Sequence, residues 1–270
     1  MNKSHLLAYA SFAICIATAS IGFADEEEEE EIPFEEAEVF FELNHTDGDL
    51  GIHALVDGDA WKKLKIEDQN EHRILKISVG GRLRRQGLTE IFFESDEPPF
   101  DELAPEAFFA RFPEGTYEIE GRTLEGDELE SETEVTHRMP APPQPTLNAM
   151  PMALQCDDEE PGYDAPTVAS PVVIAWPAVV STHPDLGSPQ DSPDISIYNY
   201  EVVVEAELEG PDGEEFVSVF SVFLPPEVTE MTVPDEFLAQ SDTFKYEVLV
   251  REESFNQTAV ESCFLIDDGA

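Results

Sequence analysis

The chain has 270 residues, 60 of them Asp or Glu and 14 Lys or Arg, which gives a formal charge of −46 at pH 7. A polyanion of this density repels phosphate backbones, so nucleic-acid binding through a basic surface is excluded. The apolar share of 41%, with 18 Phe, is still enough for packed cores, and the length fits two modest domains.

In chain order, residues 1–24 read as a secretory signal. Lys3 supplies the positive end, residues 6–16 the apolar stretch, and Gly22, Phe23 and Ala24 the run before a cut at Asp25. The apolar run falls short of the ~20 residues that span a bilayer, so no membrane span is expected after that cut. Export to a bacterial periplasm or the extracellular space follows as the expectation. The cut leaves 13 basic against 60 acidic residues, and only Cys156 and Cys263. An even pair in an exported chain reads as a disulfide, worth ~4 kcal/mol of loop-closure entropy, with two free thiols as the alternative. Residues 25–36 read as an acidic, disordered tail.

From Val39 onward, short stretches alternate apolar and polar residues: Val39-Phe41-Leu43, Leu50-Ile52-Ala54-Val56, Leu64-Ile66, 74–79, Ile91-Phe93, Tyr117-Ile119 and, more weakly, 130–136. Period two marks strands with one buried face. Turn-forming groups separate them at Asp57-Gly58-Asp59, Gly80-Gly81, Pro98-Pro99, Glu114-Gly115 and Glu125-Gly126-Asp127. This spacing predicts an antiparallel, immunoglobulin-like sandwich over 37–138. Residues 101–112 place Leu103, Ala107, Phe108 and Ala110 on one side, predicting a helix capped by Asp101 and stopped by Pro113.

The segment 139–145, MPAPPQP, lacks the N–H donors a ladder needs and predicts a stiff linker between two domains. Beyond it, strands are predicted at 172–176, 198–208, 215–223, 229–233, 244–250 and 257–266, with a long exposed loop at 181–194. This half, over about residues 143–267, resembles a fibronectin type III domain. The resemblance rests on Trp176 in VVIAWPAV, on YEVVVE beginning at Tyr200, and on TVPDEFLAQSDTFKYEVLVRE with Leu238, Tyr246, Val248 and Val250. It implies a sandwich over 146–268 and a binding or spacer role in extracellular chains; no RGD tripeptide is present.

Three constellations invite chemistry. Asp47, Asp49, Asp57 and Asp59 are hard oxygen ligands beside glycines and suggest calcium. Seven strand residues between the two pairs would hold them ~23 Å apart, so each pair reads first as a turn. Lys62, Lys63, Lys65, Arg73, Lys76, Arg82, Arg84 and Arg85, against only Glu67, Asp68 and Glu71, form a basic patch. It reads either as a docking site for an anionic partner or the acidic tail, or as a solvated hairpin face. His45, His53, His72, His137 and His183 are scattered, and no GxSxG or HExxH string occurs. Trp176 reads as core, while Trp61 is either core or a sugar-stacking platform. The Asn44 and Asn256 sequons read as coincidental in a bacterial chain.

The sequence therefore predicts an exported, all-β protein of two tandem sandwiches, acting on an envelope protein or polysaccharide by surface contact and not as an enzyme. The alternatives are a calcium-dependent adhesion module and a carbohydrate-binding accessory or small hydrolase.

Overall fold

The computed structural model describes residues 31–157, 160–211 and 213–267; the expected signal and the first residues of the expected acidic tail lie outside them. Among the described residues the fold is all-β, with fifteen strands and two short α-helices. The first strands are β1 (Glu36–Asn44), β2 (Asp49–Glu67), β3 (Arg73–Ser78) and β4 (Leu88–Glu94). The helix α1 (Pro105–Phe109) precedes β5 (Gly115–Thr123) and β6 (Glu128–Val135). The second half holds β7 (Thr146–Leu147), β8 (Met150–Pro151), β9 (Thr167–Val168), β10 (Val173–Ala175), β11 (Ile197–Glu209), β12 (Glu215–Leu224) and β13 (Glu230–Thr232). It closes with α2 (Asp235–Leu238), β14 (Thr243–Glu252) and β15 (Gln257–Ile266).

Two predicted strands are one. Residues 57–59, expected to turn, lie inside the 19-residue β2. Its first part pairs with β1 and β4, and its last part with β3 and β5, with register shifts between Asp57 and Trp61. Cross-strand partners at Asp57, namely Glu36 and Glu90, overrule the local turn preference. Gly58 is there for space: a Cβ would stand 3.0 Å from the Phe34 ring. By changing partners, β2 supplies both layers around one core, with Leu50, Ile52 and Val56 from its first part and Leu64 and Ile66 from its second. Trp61 is fully buried in that core and donates to the Thr89 carbonyl, so it is not a sugar platform.

The predicted helix is shorter than expected and starts at Pro105, because Pro is tolerated in the first turn, where no N–H donor is needed. Asp101 does not cap it; Ala104 occupies that position. The predicted disordered tail is ordered from Glu31 onward. Ile32 bridges Leu129, Phe34 is buried, and the Phe34 amide donates to Ser131 Oγ.

The second core lies between the β11, β14 and β15 ladders and a small sheet ordered β13-β10-β7-β8. Trp176 packs on Tyr200 with ring centroids 5.3 Å apart, and Leu238, Tyr246, Val248 and Val250 are buried beside them. The two cores divide near the proline-rich segment, but the halves are not joined by that segment alone. β15 pairs in parallel with β1, matching Glu42 to Gln257 and Asn44 to Ala259. The large sheet consequently runs β12-β11-β14-β15-β1-β2 across both halves, and the chain from Glu31 onward is one compact unit. Within the segment itself Met139, Pro140, Pro143 and Pro145 are buried. The loop 181–194 has no regular structure, as expected, yet is not free: Thr182 and His183 are buried, and the His183 amide donates to the Met139 carbonyl.

Asn256 fastens the seam. Its side chain is 1% exposed, accepts from the Phe41 amide at 2.8 Å and donates to the Thr136 and Arg138 carbonyls at 2.9 and 3.2 Å. A glycan on that nitrogen would require opening the seam, which agrees with the sequon being coincidental.

Candidate functional site

Alternation along the large sheet turns Tyr200, Val202 and Val248 inward and sets Glu201, Glu205 and Glu247 outward. On the outward face, where β14, β15, β1 and β2 adjoin, stand Glu247, Glu261, Glu42, His53 and Asp49. His53 is 3% exposed, with Nε2 2.9 Å from Glu97 Oε1 and Nδ1 3.6 Å from Glu42 Oε2. Glu97 reaches it across Gly51, where any Cβ would collide with the carboxylate. Gln257 donates to Glu42, and Arg251 lies 4.7 Å over the Phe40 ring with Nη1 3.5 Å from Glu38.

This crowding of like charge has a cost. Burial, followed by repulsion from Glu42, Glu261, Glu201 and Glu205, pushes the Glu247 carboxyl up to about 8. Burial and then Glu97, Asp47, Glu261 and Glu42 push Asp49 up to about 6. Glu42 and Glu261 are also raised, chiefly by burial. Asp49 Oδ1 and His53 Nδ1 are buried without a hydrogen-bond partner.

The face opens into a cleft of about 1310 Å³. One wall is the stretch after the β6 strand, with Pro142, Pro143, Pro145, Met152 and Leu154. The other is the sheet, with Glu207, Lys245, Val260, Glu261 and Ser262, and the β1–β2 turn closes one end with His45, Thr46 and Asp47. That turn is fixed in place. Asn44 Oδ1 accepts from the Thr46 and Asp47 amides at 3.0 and 3.2 Å, Asn44 Nδ2 donates to Glu261 at 2.6 Å, and the Glu261 amide donates to Thr46 Oγ1 at 2.9 Å. A disulfide joins Cys156 and Cys263 at the same cleft, across a sequence separation of 107. The site thus offers a preorganised acidic groove with Lys245, 3.8 Å from Glu207, as its cation.

Sequence spacing separated these residues. The fold brings Asp47 and Asp49 together with Glu42, Glu97, Glu247 and Glu261, acids that the spacing did not single out; of these, Asp47 and Glu261 line the cleft and the others stand on the face beside it. Asp57 and Asp59 stand about 26 and about 33 Å along β2 from Asp49 by strand rise. Among the described residues, no group of three or more His, Cys, Asp or Glu is arranged to hold a metal ion. The structure also unites His45 and His183, with Nδ1 and Nε2 3.3 Å apart. His183 Nδ1 accepts from the Asp185 and Leu186 amides, which leaves Nε2 to donate to His45. Burial and then His45 hold His183 down to about 4.

The basic patch is divided. Lys65 lies 2.7 Å from both Glu67 and Glu120, Arg73 3.4 Å from Glu67, and Lys62 donates to the Leu124 carbonyl. Lys63 and Lys76 are exposed on the β2–β3 ladder, and Arg82, Arg84 and Arg85 are exposed in the β3–β4 connection. None of these eight residues lines the acidic groove. Among the described residues, no helix is long and apolar enough to cross a membrane.

No protein-family model matches the chain, and no curated protein does. Among solved structures it is similar to one described as structural insight into host cell surface retention of a 1.5-MDa bacterial ice-binding adhesin, at 12% identity and a TM-score of 0.22, covering 88% of this chain and 66% of that one. The BSP domain of a biofilm associated protein matches at 12% identity and a TM-score of 0.24, over 87% and 30%. Murine CEACAM1b matches at 9% and 0.21, over 86% and 100%. The chain thus spans less than two thirds of the first of these structures, and superpositions this loose carry no weight for function.

Proposed function

We propose that the chain is an exported, non-enzymatic binding module that acts by surface contact, and that its groove takes an extended, cationic segment of another envelope protein. The observation that carries this reading is the groove itself: a proline-walled cleft lined by Asp47 and by Glu261, whose carboxyl burial pushes up, beside the crowded carboxylates Glu247 and Asp49. A cationic side chain in the cleft meets Asp47 and Glu261 and offsets the repulsion that, after burial, lifts Glu247 and Asp49, so ligand charge is rewarded beyond ordinary surface attraction. The packing of Trp176, Leu238 and Tyr246 supports reading residues 146–268 as fibronectin type III-like, with the groove lying along its junction with the first half.

The test is calorimetric titration with a lysine- and proline-rich peptide, against a glutamate-rich control of equal length, in two buffers of different ionisation enthalpy. Binding of the cationic peptide at pH 7 releases protons as Glu247 ionises, so the heat differs between buffers. Absence of saturable binding, or binding that Glu247→Gln and Asp47→Asn leave unchanged, overturns the reading.

A further inference from the structure

The large sheet ends on one side at β12, and no strand among the described residues pairs with its outer edge. The other accessible edges are guarded as soluble β proteins guard them. β6 carries Glu128, Glu130, Glu132 and Glu134, β3 carries Arg73 and Lys76, and β4 carries Glu90 and Glu94. β8 contains Pro151, and β13 contains Glu230. In contrast, residues 216–224 of β12 read FVSVFSVFL, nine residues without a charge or a proline in a chain of net charge −46. Phe220, Val222 and Leu224 face the second core, whereas Val217, Val219 and Phe223 are 50%, 55% and 63% exposed.

We infer that β12 is a self-pairing edge through which a second copy of this chain adds antiparallel to the sheet, giving a two-fold dimer. The occupant follows from register and charge. In an antiparallel pair, opposed residues share a face, so only even offsets are allowed. Pairing centred on Phe220 is the offset that aligns the whole uncharged stretch with itself, setting Val217 against Phe223 and Val219 against Ser221 of the other copy. Any longer overlap brings Glu215 or Glu214 into the ladder.

The acidic rows permit this pairing in salt. Glu201, Glu205 and Glu207 of β11 stand opposite Phe223, Val219 and Val217. In the dimer the two β11 rows are three strand spacings apart, about 14 Å. That exceeds the Debye length of about 8 Å at 0.15 M salt, but falls well inside the roughly 30 Å at 0.01 M. The pairing is therefore switched on by ionic strength.

Sedimentation velocity on the purified protein tests it. The parent is expected to be monomeric near 0.01 M salt and dimeric at 0.15 M and above. Val219→Lys, at an exposed position where the fold tolerates a long side chain, is expected to remain monomeric throughout. Ser78→Lys makes the same charge change at the exposed end of β3 and is expected to dimerise as the parent does. A parent that stays monomeric at high salt overturns the inference and leaves the edge to a strand of another protein. A dimer that Val219→Lys leaves intact also overturns it, since the interface then lies elsewhere.

Discussion

Replacing Glu247 by Gln tests the electrostatic description of the acidic face beside the groove directly. Glu247 is half-buried among Glu42, Glu261, Glu201 and Glu205, and its carboxyl is lifted from 4.5 to about 8. At roughly 1.4 kcal/mol per pH unit, that lift sets an upper limit of about 5 kcal/mol on the cost of ionising it in the folded state. Partial exposure and the mutual repulsion shared with its neighbours reduce this to about 2 kcal/mol. The sign follows from proton counting: between pH 4.5 and 8 the folded state holds a proton that the unfolded chain has released, so stability falls as pH rises through this window. Glu247→Gln keeps the shape and removes the charge. It is expected to raise the thermal midpoint by about 4–8 °C at pH 8.5 and to leave it nearly unchanged at pH 4.5. Thermal denaturation followed by circular dichroism at both pH values, at fixed ionic strength, reads the difference. An equal effect of the substitution at both pH values would refute the reasoning, because a packing change does not follow the protonation of a carboxyl.

The histidine pair carries the opposite sign. His183 is held down to about 4, so the unfolded chain binds a proton that the folded one refuses, and stability declines as pH falls from about 6.5 toward 4. His183→Gln should flatten that acid limb, and an unaltered limb in denaturant titrations would remove His183 as its cause. Reducing the disulfide between Cys156 and Cys263 should lower stability by about 4 kcal/mol in the chain-entropy model, and alkylating the unreduced protein should label neither cysteine by mass spectrometry. Asn256→Ala should cost about 2–3 kcal/mol by stranding the buried Phe41 amide, read as a shift in the urea midpoint with unchanged slope. A loss below 0.5 kcal/mol would mean that water replaces the lost side chain.

Alternation sufficed to find the strands from β1 to β6 and from β10 to β15, because a half-buried sheet writes its period into the sequence wherever one face meets a core. Where tertiary partners outweighed local preference, the sequence misled. Asp57-Gly58-Asp59 has every mark of a turn and lies inside a ladder, and the charged run before β1 yields to Ile32 and Phe34, whose burial orders it. The cysteine pair was legible from its parity together with the expectation of export. The acidic face was not, since in a chain with 60 acids no spacing distinguishes Glu42, Glu97, Glu247 and Glu261 from the rest.

What the sequence determined by itself was composition-level physics: an acidic chain, β periodicity with two apolar cores, and one disulfide. The tertiary structure decided the rest through a single event, the parallel pairing of β15 with β1. That pairing joins residues more than two hundred positions apart, and no local period can encode it. It makes one sheet of two halves, brings carboxylates from four strands to one face, and leaves β12 at the open edge.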